Sequence, residues 1–446
     1  MLEARVTTRQ MAVGQGGLMT SEIVVRDAPR PPYAFKIAFD CGSVNREHLR
    51  QGIDALEDRA VDILFISHLD ADHVNGIDLL LSKVDVDTVV LPCLDPLNMT
   101  AIVCEELNRG GIPGGLKNFL RNPATWFADR GVKRVLFLSR DTPGDDSAPP
   151  FGPDSPSPLQ VGEPLAPNQR QEPRRLKCLV HSSASSPVHL PTTKISASVL
   201  PSSSAFEVDL SIGSASQLTW LFVPYVHPFP EDRVKAFLKA VRTTLSVPDT
   251  EAIATPAFAR RLFAALTDVA KRENLKRCYA LLSSNNNKPS LSLYSGPFPG
   301  RGDVWEIQTL GSGYYHAHWP LHVRWHYIPS ALVSEPLFYP ERAGWISTGD
   351  ADLKSRNTRS AWLRRYSQLL KETGTFLLPH HGSNSSVHSE VLEEASHAMT
   401  ISCAATGRSH HPHPVLVSKI KGLGIGMWQV SEDAASEFVV TVAASF

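Results

Sequence analysis

None of the six cysteines stands in a Cys-x-x-Cys pair, and the gaps between Cys41, Cys93, Cys104, Cys178, Cys278 and Cys403 follow no disulfide or zinc-finger spacing. Free, mostly buried thiols in a reducing cytoplasm are expected, and with them a cytoplasmic localisation. No apolar run reaches the roughly 18 residues of a membrane span. The amino terminus MLEARVTTRQMAV lacks the apolar stretch of a secretory signal. Neither sign of charge is in excess, since 44 Lys and Arg face 45 Asp and Glu for a net charge of −1. No global field therefore draws the chain to nucleic acid or membrane, and attraction for a polyanion rests on a local patch. There is no internal repeat at a fixed period.

What is present is an ordinary globular composition, 42% hydrophobic over 446 residues, enough for one large α/β domain with insertions. Short apolar runs stop abruptly at polar clusters. FKIAF ends at Asp40-Cys41-Gly42 and VDILFI at Ser67-His68. GWIST ends at Gly349-Asp350, TFLLP at His380-His381-Gly382, and MTISCAA at Thr406-Gly407-Arg408. Such runs read as buried strands, and the intervening NGIDLLLSKV, RSAWLRRYSQLLKETG and HPVLVSKIKGLG read as helices. Strands alternating with helices imply a layered α/β domain with functional groups at the carboxyl ends of the strands.

The middle of the chain differs. Residues 141–173 hold nine prolines among Gly, Ser, Asp and Glu, the composition of a linker, and Ser-rich sequence continues to about 207. No core is expected there. The division is residues 1–140 as one half of a domain, 141–215 as an insertion or linker, and 216–446 as a helical segment followed by the other half. QLTWLFVPYV reads as a strand and 231–245 as a helix. A second helix is expected over 256–277, with Phe258, Leu262, Leu266, Val269 and Ala270 on an apolar side and Arg260, Arg261, Lys271 and Arg272 opposite. That basic side is either a solvated face or a contact for a phosphate backbone.

The densest ligand chemistry is SHLDADHVNG, where His68, Asp70, Asp72 and His73 fall within six positions. On such a turn alternate side chains converge on one point and the next pair on another, which favours two metal ions close together. Imidazole suits zinc, and carboxylates shift preference toward manganese and magnesium. Asp350 has the setting of a bridging carboxylate, and His380 or His381 supplies a further nitrogen.

These segments resemble the metallo-β-lactamase superfamily, in particular the hydrolase domain of ComEC-type DNA-uptake proteins. The resemblance lies in VGQGG (13–17), FDCG (39–42), SHLDADHVNG, NNKPSLSLY (286–294), STGDAD (347–352), LPHHGSNSS (378–386) and HPHPVL (411–416), in the family's order. It implies an αββα four-layer sandwich with two divalent ions, Zn or Mn, at one edge of its sheets. It implies a first site of His68, Asp70 and bridging Asp350, and a second of Asp72, His73, Asp350 and one histidine of the His380–His381 pair. His380 is favoured as ligand and His381 as an outer or substrate-contacting group. His411 and His413 match a further family segment near the site, although His-Pro-His-Pro equally suits a helix cap. No further histidine for the first site stands in a clear motif; His316, His318, His322 and His326 are donors by type, though their alternation reads as a strand. The membrane channel of the DNA-uptake proteins is absent.

Two divalent ions against Asp70, Asp72 and Asp350 leave a charge of about +1, suited to clamping both oxygens of a phosphoryl displacement. The expectation is a phosphodiesterase or nuclease acting on DNA or RNA through metal-bound hydroxide. Asp72 would orient the nucleophile, and His381, His411 and Arg408 would stabilise charge or protonate the leaving oxygen. Hydrolysis of a small-molecule ester, lactone or phospholipid-type substrate is the alternative, and a metal-retaining sensor or assembly subunit a third. A role in bacterial defence, gated by a regulatory protein partner, follows from the family analogy alone.

Overall fold

Every residue of VDILFI but Asp62 is apolar, a pattern that suits a strand covered on both faces. In the computed structural model Ile63 and Phe65 enter one apolar cluster while Val61, Leu64 and Ile66 enter another on the opposite face. The structure describes residues 2–27, 32–56, 60–94, 96–108, 118–120, 122–140, 196–202, 204–209, 219–229, 231–248, 255–282, 290–299 and 342–445. It also describes residues 250 and 253 and short strands at 160–161, 176–180, 188–189 and 306–311.

Two large sheets organise these residues. The first runs, in spatial order, Glu306–Gly311, Phe438–Ser445, Leu2–Gln10, Gly16–Asp27, Tyr33–Ser43, Ala60–Phe65, Asp85–Pro92, Arg134–Leu138, Ser196–Leu200 and Val188–His189. The second runs Met427–Val430, Met399–Cys403, Thr373–Leu377, Gly344–Ser347, Leu291–Pro297, Thr219–Val226, Ala205–Asp209, Leu176–Val180 and Gln160–Val161. Each sheet contains a parallel run, Tyr33–Ser43 through Ser196–Leu200 in one and Gly344–Ser347 through Met427–Val430 in the other.

Apolar packing fixes the layers. Between the sheets Phe35 and Phe65 of the first meet Phe222 and Phe206 of the second, with ring centroids 5.9–6.2 Å apart. Phe39 meets Trp345 edge-on at 6.0 Å. The outer face of the first sheet is covered by helices carrying Leu49, Leu80, Val103, Phe237 and Leu275. The outer face of the second is covered by the Arg356–Leu370 helix through Trp362, Tyr366 and Leu369, and by Leu392, Leu416 and Ile420. The Trp362 indole donates to Ser292 Oγ at 3.2 Å, which seats that helix on its sheet.

Two expectations are corrected. The Ser-rich stretch up to 207 does enter the core: Leu200, Phe206 and Val208 are buried between the sheets. Alternation in AFEVD turns Phe206 and Val208 inward, while SASVL turns Leu200 inward and packs Ala197 and Val199 on the outer face of the first sheet. The helix expected over 256–277 is two helices, Pro256–Ala265 and Val269–Leu282. Asp268 accepts the Lys271 N–H at 3.0 Å and so starts a new helix, leaving Val269 64% exposed and burying Leu275, Cys278 and Tyr279 instead. Most of 141–195 and all of His316, His318, His322 and His326 lie outside the described residues. Among those described, no helix is long and apolar enough to cross a membrane.

His227, just beyond the Thr219–Val226 strand, is buried edge-on against Tyr225 at 4.7 Å, and neither ring nitrogen has a hydrogen-bond partner among the described residues. Burial pulls its pKa down from 6.5 to about 3. The unfolded chain therefore binds a proton that the folded chain refuses between those values, and stability falls as pH drops below about 6.5. His227→Phe removes that part of the slope. Urea unfolding at pH 7.5 and pH 5 is expected to show a pH-dependent loss smaller by about 2 kcal/mol in the variant; an unchanged loss contradicts the assignment.

Candidate metal centre

The centre forms where the carboxyl ends of parallel strands from both sheets meet. After Ala60–Phe65 the chain makes a short turn and the four-residue helix Ala71–Val74, with Asp70 at its cap position. This loop is clamped to the neighbouring Tyr33–Ser43 strand. Asn75 Oδ1 accepts the Ser43 N–H at 3.0 Å, Asn75 Nδ2 donates to Ser43 O at 2.8 Å, and Gly76 N–H donates to Cys41 O at 2.9 Å. Approach is so close at Gly42 that a Cβ there would sit 2.5 Å from the His73 backbone. From the other side, Leu291 N–H donates to Ser67 O at 2.8 Å, joining the loop to the second sheet.

Asp350 follows Gly344–Ser347 through Gly349, where φ is +52° and a Cβ would sit 2.9 Å from Ser290 Cβ, both of which favour glycine. The two oxygens of Asp350 face different groups. Oδ2 is 3.6 Å from His68 Nε2 and 3.9 Å from His380 Nε2. Oδ1 is 3.6 Å from His73 Nε2. His68 Nε2 is also 3.6 Å from Asp70 Oδ2, and His381 Nε2 is 3.2 Å from Asp72 Oδ2. Two triads have ligand atoms close enough to share an ion: His68, His73 and Asp350, and Asp72, His73 and His381.

His380 and His381 both adopt left-handed backbone conformations, φ 50° and 55°, at a cost of about 1–3 kcal/mol each. His380 N–H donates to Gly349 O at 3.1 Å and Ser402 Oγ donates to His381 O at 2.7 Å, which holds the pair in place. Their side chains diverge. His381 is buried beside Asp72 and His73, and His380 faces Asp350 with its ring stacked on His411 at 5.4 Å. The histidine favoured from sequence as an outer group is thus the one brought to Asp72.

His73 is oriented by Asp40, a residue that sequence reading noted at a strand end without giving it a role. Asp40 is 1% exposed, has φ 56°, and accepts the Ser67 N–H and Ser67 O–H, both at 2.7 Å. His73 Nδ1 lies 2.8 Å from Asp40 Oδ2 and donates to it, leaving Nε2 turned toward Asp350. Ser67 Oγ is 2.9 Å from His68 Nδ1; with its own proton given to Asp40, it accepts the His68 Nδ1–H. With the rings neutral, as a bound ion would require, the network selects the tautomer that turns Nε2 of each ring toward Asp350.

Burial opposes ionisation of Asp72, but the hydrogen bond to His381 and the nearby His73 hold its carboxyl well below the usual range. Asp350 is likewise held low against its burial by His68, His380 and His73. Burial pulls His73 down while Asp40, Asp350 and Asp72 push it up, and the result is about 10. His411 is lowered to about 4 by burial and by His381 and His380, so its ring is neutral near pH 7. Arg408 is exposed in the turn before it and acts on His411 through charge alone. His413 caps the Pro414–Gly422 helix, accepting the Val415 N–H at 3.2 Å.

No protein-family model matches the chain, and no curated protein does. Among solved structures, a metallo-beta-lactamase from Cronobacter sakazakii, a HARLDQ motif mutant, is similar at 14% identity and a TM-score of 0.21, over 60% of this chain and 88% of that one. A superposition that loose carries no weight for fold or function.

Asp40→Asn keeps the size of the side chain but removes the charge that orients His73 and Ser67. Zinc or manganese affinity, measured calorimetrically, is expected to fall about 10- to 100-fold with the circular dichroism spectrum unchanged. Equal affinity in the two proteins contradicts the orienting role.

Proposed function

We propose that the chain is a dinuclear metal-dependent hydrolase of metallo-β-lactamase fold acting on a phosphodiester. The observation that carries this reading is Asp350, whose oxygens each face a different imidazole group across the sheet edge. His73 Nε2 and Asp350 Oδ1 are buried, make no hydrogen bond, and stand 3.6 Å apart. Two ligand atoms bound at about 2.1 Å to one tetrahedral ion stand about 3.4 Å apart, so the pair fits an ion and not a hydrogen bond.

Asp350 divides the ligands into two sets. His68, Asp70 and Asp350 would hold the first ion, with His380 facing the same carboxylate. Asp72, His73, His381 and Asp350 would hold the second. The three ligand carboxylates and Asp40 together match the charge of two divalent cations. Two such ions supply positive charge at both the attacking and the leaving oxygen of a displaced phosphoryl group. The protein's own part is to fix these positions: Asp40 and Ser67 lock the imidazoles, and the Gly349 turn aims Asp350. His411, half-buried and neutral beside His380, would offer an N–H hydrogen bond to charge developing on a leaving oxygen. Arg408 would add positive charge beside His411.

Asp350→Ala removes the carboxylate shared by both sets. Turnover of bis(4-nitrophenyl) phosphate with Zn or Mn is expected to fall at least about 1,000-fold, and Asp72→Ala is expected to do the same. Undiminished turnover in both purified variants rules the reading out.

A further inference from the structure

We propose that Ser290 is a positioning residue that joins the two halves of the centre, holding the His68 imidazole and the shared Asp350 in one fixed relation. This rests on the dinuclear reading and adds to it a side chain that is not among the ligands.

Ser290 stands one residue before the Leu291–Pro297 strand, at the start of the run SLSLY. Alternation puts Leu291 and Leu293 between the sheets and leaves the two serines for the opposite face. Both serines are wholly buried, and each accepts a hydrogen bond from a buried group. Ser292 Oγ takes the Trp362 indole N–H at 3.2 Å, where the covering helix sits on its sheet. Ser290 Oγ takes the Asp350 N–H at 2.9 Å, at the end of the strand where the centre lies.

The same Ser290 oxygen lies 3.3 Å from His68 Nδ1, whose nearer partner is Ser67 Oγ at 2.9 Å. With Nε2 turned to an ion, the Nδ1–H of His68 lies between two hydroxyl oxygens. Ser67 belongs to the loop that carries His68 itself, on the first sheet. Ser290 comes from the second sheet, where the Leu291–Pro297 strand pairs with the Gly344–Ser347 strand that leads to Asp350. One oxygen therefore meets both a ligand of the first ion and the backbone of the carboxylate shared by the two. The packing around it is close. A Cβ on Gly349 would sit 3.1 Å from Ser290 Oγ and 3.0 Å from Ser67 Cβ, and Leu291 N–H is tied to Ser67 O at 2.8 Å. Removing the hydroxyl leaves the buried Asp350 N–H without that acceptor and frees the His68 ring on the side of the second sheet.

The test compares Ser290→Ala with Ser292→Ala, which removes an equally buried hydroxyl and its hydrogen bond from the same strand without touching a ligand. Zinc or manganese binding to the whole chain is followed calorimetrically, with His68→Ala marking which of the two binding steps depends on that imidazole. In Ser290→Ala that step is expected to weaken about 10- to 100-fold, and the other to weaken less, with the circular dichroism spectrum unchanged. In Ser292→Ala both steps are expected to stay within about threefold of the unaltered protein, although its resistance to urea falls as well. A loss shared equally by the two steps, or the same pattern in Ser292→Ala, is a general structural effect and overturns the positioning role. So does unchanged affinity in Ser290→Ala, and in each of these cases two bound ions leave the dinuclear reading standing. Unaltered protein that takes up no ion overturns both.

Discussion

Burying carboxylates is the constraint on which the rest of this structure depends. Asp40, Asp70 and Asp350 are almost wholly buried at the edge of two apolar sheets, with Asp72 beside them. Each ionised carboxylate in such a place costs several kcal/mol unless it is compensated. The compensation visible in the protein is imidazole: His68, His73 and His381 each stand 3.6 Å or less from an aspartate oxygen. In the proposed centre these four carboxylates would balance two divalent cations.

Meeting the constraint calls for both sheets. The first brings the SHLDADHVNG loop and Asp40; the second brings Asp350, His380 and His381. Aromatic packing of Phe35, Phe39 and Phe65 on Phe222, Trp345 and Phe206 fixes the spacing between sheets. The hydrogen bond from Leu291 N–H to Ser67 O and the approach of Gly349 to Ser290 and Ser67 stitch the two edges together. Backbone strain sits at the same place, in the left-handed Asp40, His380 and His381. Strain of this kind persists where surrounding contacts over-determine it, and here those contacts come from Gly349, Ser402 and Ser67.

The strands around the centre were legible because buried parallel strands are continuous apolar runs, and VDILFI, GWIST and TFLLP each end where the chemistry begins. The side chains that could hold a metal were legible from their density between residues 68 and 73. The role of Asp40 was not, since an aspartate at a strand end reads as a turn until its oxygens are seen on Ser67 and His73. Nor was the division of labour between His380 and His381, which is set by two positive φ angles and not by residue type. Serine hid the alternation that makes 196–209 strands, and the break at Asp268 needed its cap geometry.

The central claim is that two ions share Asp350. Anomalous diffraction from crystals of protein prepared with Zn or Mn, combined with metal analysis of the same sample, tests it most directly. The account predicts two ions per chain, one on each oxygen of Asp350, with His381 and not His380 on the ion bound by Asp72. Protein that takes up no ion at the 68–73 loop, or one ion with Asp350 outside its ligand sphere, would contradict it.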